Sequence, residues 1–296
     1  MNETHPERTL TYARNPSRPV LQLPPGSCDT HVHVFGPERT YPYAPERHIT
    51  PVDAPRETLF ELHRHLGIER CVIVQSVVHG RDNRVVEDAI AAGNGRYLGV
   101  ALVDVQVSDA ELRRLAGAGI RGVRFNFMKH LGGATQLEPV IALTRRLADA
   151  GMHLQVHFDS ALIHELARPL SQSAVPVVVD HMARVDAELG IGHKDFQAFL
   201  QLMTNPRFMV KISGIDRIDA HARPESRYAA GEAIARELVQ RFPHRCLWGT
   251  DWPHPNHTHI PDDGALVDAL ERIMPDRAHL IQVLVDNPQR FYRFEA

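Results

Sequence analysis

The chain has 296 residues, 43% of them hydrophobic, and a formal net charge of −3 at pH 7. This length suits one large α/β barrel, and the interspersed charges leave no basic stripe of the kind that binds nucleic acid. No stretch approaches the roughly 18 consecutive apolar residues of a membrane span, and residues 1–27 lack the apolar segment of an export signal. We therefore expect a cytoplasmic protein with neither a nucleic-acid nor a membrane partner.

Eight apolar, β-branched runs predict eight strands. In chain order they are "CDTHVHV" from 28, "CVIVQSV" from 71, "YLGVALVDV" from 97, "GIRGVRFNF" from 119, "HLQVHF" from 153, "VPVVVDHM" from 175, "FMVKISG" from 208 and "CLWGTD" from 246. Helical patterns separate them, such as 108–119, which opens with a capping box from Ser108 to Glu111, and two more follow the last strand.

This alternation predicts a single (β/α)8 TIM barrel over residues 28–296, preceded by an irregular, proline-rich N-terminal arm over 1–27. The three cysteines, Cys28, Cys71 and Cys246, are odd in number and lie in or beside apolar stretches. We expect reduced, buried thiols rather than disulfides.

Polar side chains at the carboxyl ends of barrel strands face the active-site mouth, and this rule selects five residues. His31 and His33 alternate at the end of strand one, His157 ends strand five, His181 strand six and Asp251 strand eight. Imidazoles with one carboxylate are the donors of a Zn²⁺ or Mn²⁺ site. A lone strand-end histidine is more often structural, but five residues converging on one rim indicate a reaction centre.

Other histidines and an aspartate have simpler interpretations. The sequence has two further H-x-H pairs, and chance alone produces about one among 19 histidines. The pair at 63–65 lies in a helical pattern and is expected to be solvated, whereas the roles of His257 and His259, in the loop after strand eight, stay open. Alternation is expected to turn Asp180, next to His181, toward the helices.

Two arginines lie near the same mouth, Arg124 at the end of strand four and Arg217 after strand seven. They suit a substrate with two acidic groups, although a surface ion pair is an equal alternative for each. The direction of Lys211 depends on the strand register. Strand four holds no lysine of its own, which argues against a two-metal centre bridged by a carboxylated lysine.

The motifs "DTHVHVFGP", "VIVQSVVHGRDN", "GIRGVRFNFMK", "VVVDHM", "GIDRID" and "WGTDWPHPN" resemble, in this order, those of the 2-pyrone-4,6-dicarboxylate lactonases and related amidohydrolases. The resemblance implies hydrolysis of an ester-like bond in an anionic ring, in aromatic-compound catabolism. It also implies site residues. They are His31, His33, His181 and Asp251 at the reaction centre, and Arg124 and Arg217 as carboxylate-binding residues. We also expect His130 and His254 to bind the substrate.

Four positions depart from the pattern expected of the pyrone lactonases. His157 replaces a tyrosine, His130 replaces an arginine, and Val77 and Ile49 are apolar where polar contacts are expected. The first change favours one divalent metal, Zn or Mn, held by His31, His33, His157 and Asp251, with metal-free catalysis as the alternative. The others favour a relative such as a sulfomuconolactone-type hydrolase.

We therefore expect a lactonase in which Asp251 takes a proton from water while the metal or protonated His181 polarises the lactone carbonyl. Its partner is a small anionic lactone, and a homo-oligomer is possible. A non-oxidative decarboxylase or lactone isomerase of the same superfamily is the alternative enzyme. A barrel that only binds an organic anion is a weaker alternative, because it has no evident use for an aspartate beside four histidines.

Overall fold

The structure is a computed structural model that describes residues 8–128, 136–219, 228–257 and 259–295. Eight parallel strands pair in chain order, which confirms the predicted barrel. They are β1 (Cys28–Val32), β2 (Arg70–Val74), β3 (Tyr97–Leu102), β4 (Ile120–Asn126), β5 (His153–His157), β6 (Val177–Val179), β7 (Phe208–Lys211) and β8 (Cys246–Leu247).

Helices connect the strands and cover the outside of the sheet. They are α1 (Arg56–Leu66), α2 (Arg84–Ala92), α3 (Asp109–Gly117), α4 (Leu137–Asp149), α5 (Ile163–Leu170), α6 (Lys194–Met203), α7 (Ala229–Arg241), α8 (Asp263–Ile273), α9 (Arg277–Ile281) and α10 (Asn287–Tyr292). The Ser108 side chain accepts from Glu111 N at the start of α3, as the capping motif predicts. Within the described residues, no helix is both long and apolar enough to cross a lipid bilayer.

Backbone hydrogen bonds between β1 and the chain after β8 bring the two ends of the sheet together. Thr30 N donates to Trp248 O (2.8 Å), and Asp251 N donates to His31 O (2.8 Å). The Asp29 carboxylate reinforces this seam by accepting from His31 N (3.0 Å) and from the hydroxyl of Thr250 (2.6 Å). The seam therefore fixes His31 and Asp251 beside each other.

Close approach at this seam requires a glycine. A Cβ on Gly249 would lie 2.6 Å from His31 N and 2.8 Å from Asp29 Oδ1. Glycine is the residue that lets two backbones come this near.

Side-chain alternation divides the core into two layers. The inner layer fills the barrel, and the carboxyl-terminal residues Tyr292 and Phe294 pack against it. The strand residues of this layer are Cys28, Val72, Val74, Leu98, Val100, Val178, Met209 and Leu247. Alternate residues such as Val123 and Val156 belong to the outer core beneath the helices. The three cysteines are buried and unpaired, as predicted.

One prediction about the helices is wrong. His63, expected to be solvated, is 2% exposed, and its Nδ1 shares a 2.8 Å hydrogen bond with the Tyr97 hydroxyl. The buried stripe of α1 comprises Leu59, Leu62, His63 and Leu66, so position 63 falls inside the i, i+3, i+4, i+7 face. A buried tyrosine hydroxyl needs a hydrogen-bond partner, and His63 supplies it.

Residues 8–27 contain no helix or regular strand, and only an isolated bridge joins Thr9 to Pro51. This segment packs against the loop after β8, where the rings of Tyr12 and Trp252 lie 5.3 Å apart. It also contacts α8, because Asp262, which caps that helix, accepts a hydrogen bond from Ser17 N (3.0 Å).

Candidate active site

The candidate active site lies at the carboxyl ends of the strands, where six strands or the loops that follow them direct polar side chains inward. The pairing of β1 with β2 shifts between Asp29 and Val32, so Val32 joins the outer core while His31 enters the site on the opposite face. Val123 and Phe125 belong to the outer core, and because side chains alternate along a strand, Arg124 between them points into the barrel. Side-chain alternation thus determines which residues of each strand face the site.

Asp251 is the centre of the histidine cluster. Its Oδ1 lies 3.5 Å from His33 Nε2, 3.7 Å from His31 Nε2 and 3.9 Å from His181 Nε2. All four side chains are at most 4% exposed. Asp251 adopts a positive φ of 67° at the end of its strand, a conformation that is uncommon outside glycine.

The second oxygen of Asp251 is held by an arginine. Arg217 Nε donates to Asp251 Oδ2 (2.7 Å), and its Nη2 makes a second contact with the same oxygen. Burial opposes ionisation, but the Arg217 guanidinium and the neighbouring imidazoles hold the pKa of Asp251 well below its usual range. The carboxylate is therefore charged at neutral pH.

The imidazoles around Asp251 have defined orientations. His33 Nδ1 donates to the carbonyl of Val74 (2.7 Å), which leaves Nε2 without a proton when the ring is neutral. A 2.9 Å hydrogen bond joins His181 Nδ1 to Ser213 Oγ. Burial lowers the pKa of His31 to about 4 and that of His181 well below the usual value, so both rings are neutral at pH 7.

Asp180 lies inside the barrel, so the expectation that it faces the helices is wrong. Val178 belongs to the inner layer, and alternation therefore brings Asp180 inward too. His181 reaches the mouth differently, because residues 181–184 leave the strand in a left-handed turn with φ between 47° and 56°. The alternation rule therefore places Asp180 inside the barrel, whereas the left-handed turn brings His181 to the mouth.

Asp180 connects Arg124 to His31 beneath the site. Its Oδ2 accepts from Arg124 Nε (2.7 Å) and from Gln155 Nε2 (3.1 Å), and its Oδ1 lies 3.2 Å from His31 Nδ1. A carboxylate behind a histidine fixes the ring tautomer and makes the other nitrogen a better ligand. The pKa of Asp180 stays well below its usual range because Arg124 and its other charged neighbours outweigh the opposing effect of burial.

The direction of the Lys211 side chain, which depends on the register of β7, is defined by the structure. It points into the barrel, is fully buried, and donates from Nζ to Thr30 O (2.7 Å), with His31 Nδ1 3.3 Å away. Burial lowers its pKa to about 8, against the attraction of Asp180. Asp180 and Lys211 form a charged layer under His31 that the sequence analysis did not predict. An ionisable residue within an apolar, strand-like run, as at both positions, was the signal available in the sequence.

His157 lies at the mouth beside His181, with their rings 5.3 Å apart. Its Nδ1 is 3.3 Å from Asn126 Oδ1, and its buried Nε2 has no hydrogen-bond partner among the described residues. Burial and the nearby Arg124 lower the pKa of His157 well below the usual value. A neutral, unpartnered imidazole nitrogen is a potential metal ligand.

The donors present fit a divalent metal ion. Ligand atoms of His31, His181 and Asp251 lie within 4.8 Å of one another. Both His31 Nε2 and Asp251 Oδ1 are buried without a hydrogen-bond partner among the described residues, as expected for atoms that bind something else. Of the expected ligands, His33 adjoins this group through Asp251, whereas His157 lies next to His181.

Two cavities open at this end of the barrel. The smaller lies directly over the site, and His33, His157, His181, Arg217 and Asp251 contribute to its wall together with Ile49 and Val77. The larger, of about 880 Å³, lies over β3, β4 and the loop at 42–48. Arg124 lines both, so it can hold an acidic group of a ligand that reaches the cluster.

The chain matches the amidohydrolase family over residues 28–294. It belongs to this family. A 2-pyrone-4,6-dicarboxylate hydrolase from Comamonas testosteroni is 42% identical over 290 residues, which cover 96% of this chain and 95% of the relative. A 4-sulfomuconolactone hydrolase from Hydrogenophaga intermedia is 38% identical over 282 residues, or 94% of this chain and 91% of the relative. The resemblance that the motifs indicated is thus confirmed.

Solved structures of amidohydrolases have the same fold. A protein from Acinetobacter baumannii, described as a probable 2-pyrone-4,6-dicarboxylic acid hydrolase with citric acid bound, has a TM-score of 0.81 at 26% identity. The alignment covers 91% of this chain and all of the other.

One predicted substrate-binding residue of this amidohydrolase, His254, lies away from the two cavities. His254 is fully buried, and its Nε2 is 3.0 Å from Asp263 Oδ1 at the start of α8, outside the lining of both cavities. His130 lies outside the described residues. The sequence assigns no role to His257. In the structure its Nε2 lies 3.1 Å from Asp216 Oδ2.

Proposed function

We propose that this amidohydrolase opens a lactone ring that carries two acidic groups, carboxylate or sulfonate. One observation carries the proposal. Asp251 presents one oxygen to three imidazoles while the other is held by Arg217, at the edge of a cavity that Arg124 lines. The two hydrolases named above, which act on a pyrone dicarboxylate and a sulfomuconolactone, support this substrate class.

Arg124 and Arg217 hold the acidic groups of the substrate. Asp180 takes only Nε of Arg124, and the described residues leave its two terminal nitrogens without a hydrogen-bond partner. These nitrogens form a planar fork that matches a carboxylate or sulfonate. With Ile49 and Val77 in the wall, the ring itself meets an apolar surface.

Asp251 acts as the general base. Its ionised carboxylate accepts a proton from water, and the oxygen of that water forms a bond to the lactone carbonyl carbon. Negative charge then develops on the carbonyl oxygen. When no metal occupies Nε2 of His181, that nitrogen donates a hydrogen bond to the developing oxyanion, and the Nδ1 contact with Ser213 Oγ orients the ring. When the tetrahedral intermediate collapses, the ring C–O bond breaks and the leaving oxygen takes the proton from Asp251.

His31, His181 and Asp251 would hold one divalent ion, Zn²⁺ or Mn²⁺, with His33 and His157 as adjacent donors. Such an ion would supply Lewis-acid chemistry, which polarises a carbonyl and acidifies water. The carboxylate of Asp180 would keep His31 in the tautomer that presents Nε2 to the site.

The test is a panel of carboxylated and sulfonated lactones, followed by ultraviolet loss of the ring, with wild type and Asp251→Asn. We expect hydrolysis by the wild type and a fall in kcat of about 10²–10⁴ in the variant, the usual contribution of a general base. Near-normal turnover by Asp251→Asn would refute the assignment. Release of carbon dioxide instead of ring opening would identify a decarboxylase.

A further inference from the structure

A second group of buried ligand atoms lies beside the reaction centre. It consists of Asp216, after β7, with His254 and His257, after β8, and none of them lines either cavity described above. We propose that these three residues form a second site for a divalent cation of the Zn²⁺ class, distinct from the His31, His181 and Asp251 group.

The distances among Asp216, His254 and His257 are close to those required of ligands to one metal ion. One ligand atom from each of the three residues lies within 4.8 Å of the others, and His257 Nε2 is 3.1 Å from Asp216 Oδ2. Ligands of a tetrahedral zinc ion, bound at about 2.1 Å, lie roughly 3.4 Å apart. Small side-chain adjustments would therefore bring the three donors into coordination distance.

Four polar atoms of this cluster are buried without a hydrogen-bond partner among the described residues. They are both carboxylate oxygens of Asp216, Nδ1 of His254 and Nε2 of His257. Asp263 holds the other nitrogen of His254 at 3.0 Å, an arrangement that orients metal-binding histidines in proteins. Native structures rarely leave so many buried polar atoms unsatisfied in one place.

Charge also favours a cation. Asp216 is 3% exposed, and among the described residues its only ion-pair partner is His257. The adjacent Arg217 directs its guanidinium to Asp251 instead. A buried carboxylate without a cationic partner is costly, and a bound cation removes that cost.

A proton shared between Asp216 and His257 is the competing explanation. Burial raises the pKa of Asp216, which is consistent with a proton there. A proton on His254 is a second form of this explanation, because the carboxylates of Asp263 and Asp216 raise the pKa of His254 against the effect of burial. A metal ion differs from either proton in that it binds all three donors at once. The ion would also join the loop that carries Arg217 to the loop that carries Asp251.

The test counts zinc on the chelator-treated, full-length protein by equilibrium dialysis with elemental analysis. We expect Asp216→Asn and His257→Gln each to bind one zinc equivalent fewer than wild type. The matched control is His259→Gln, which changes the other histidine of the same H-x-H pair and should retain every equivalent. His31→Asn, at the reaction centre, should retain the equivalent that Asp216→Asn loses.

Equal zinc stoichiometry in the wild type, Asp216→Asn and His257→Gln would overturn the proposal in favour of the shared proton. So would a wild type that binds no zinc. Circular dichroism in the presence of chelator establishes whether each variant is folded. If Asp216→Asn does not fold, the zinc stoichiometry of His257→Gln alone tests the proposal. Zinc should also raise the Tm of wild type more than that of His257→Gln.

Discussion

Replacing Arg217 by methionine should move the acidic limb of the pH profile toward neutrality. Arg217 Nε lies 2.7 Å from Asp251 Oδ2, which puts the charge centres about 4 Å apart. At an effective dielectric constant of about 20, their attraction is about 4 kcal/mol, or about 3 pKa units. Measured shifts for such pairs are about 1–3 units, and we expect a change of that size.

The sign follows from the role of the carboxylate. Arg217 holds the pKa of Asp251 below its usual value, so the carboxylate that we propose as the base is ionised at every pH above that low pKa. Without the guanidinium the pKa rises, and kcat/KM should be lost at correspondingly higher pH as the solution is acidified. The profile of kcat/KM is the appropriate assay because it reports ionisations of the free enzyme.

Arg217→Lys is the matched control, because it keeps the positive charge but loses the planar fork. We expect its acidic limb to stay near that of wild type while KM rises, since a lysine cannot bind a carboxylate in bidentate fashion. An acidic limb that does not move in Arg217→Met would refute the electrostatic argument. Equal movement in both variants would refute it as well.

Three further predictions concern the substrate, the seam and the metal. A lactone analogue with one acidic group should lose at least about tenfold in kcat/KM, because one arginine then has no partner; equal values for both lactones would contradict this. Asp29→Ala should reduce the free energy of unfolding in urea by roughly 3 kcal/mol or more, because it leaves buried donors of His31 and Thr250 unsatisfied; an unchanged midpoint would exclude this role. His157→Gln should weaken zinc binding at the reaction centre about tenfold in calorimetric titration, and unchanged affinity would leave His157 only a positioning role beside His181.

The sequence was sufficient for the barrel because its signal is local and repeated. Each strand is a short β-branched run between helical patterns, and all eight form where they were predicted. The residues at the rim could also be predicted, because a polar residue at the carboxyl end of an apolar barrel strand faces the active-site mouth. His31, His33, His181 and Asp251 converge for this reason.

The remainder of the site depends on phase and on distant contacts. Alternation predicts that neighbours face opposite ways, but it does not tell which of Asp180 and His181 is inside when a left-handed turn follows the strand. Lys211 required the register of β7, and Asp216 required knowledge that the β7 and β8 loops meet. Such contacts join residues far apart in the chain, where periodicity carries no information.

The two arginines share one arrangement, and it has a consequence for catalysis. Each is bound to a carboxylate that touches the histidine cluster, Arg124 to Asp180 and Arg217 to Asp251. An acidic group of the substrate that draws Arg217 away from Asp251 would raise the pKa of Asp251 and make it a stronger base. In the proposed mechanism, Asp251 would therefore be an ionised but weak base in the free enzyme, and its basicity would increase when the second acidic group of the substrate binds. The Arg217–Asp251 ion pair would then couple substrate recognition to proton abstraction.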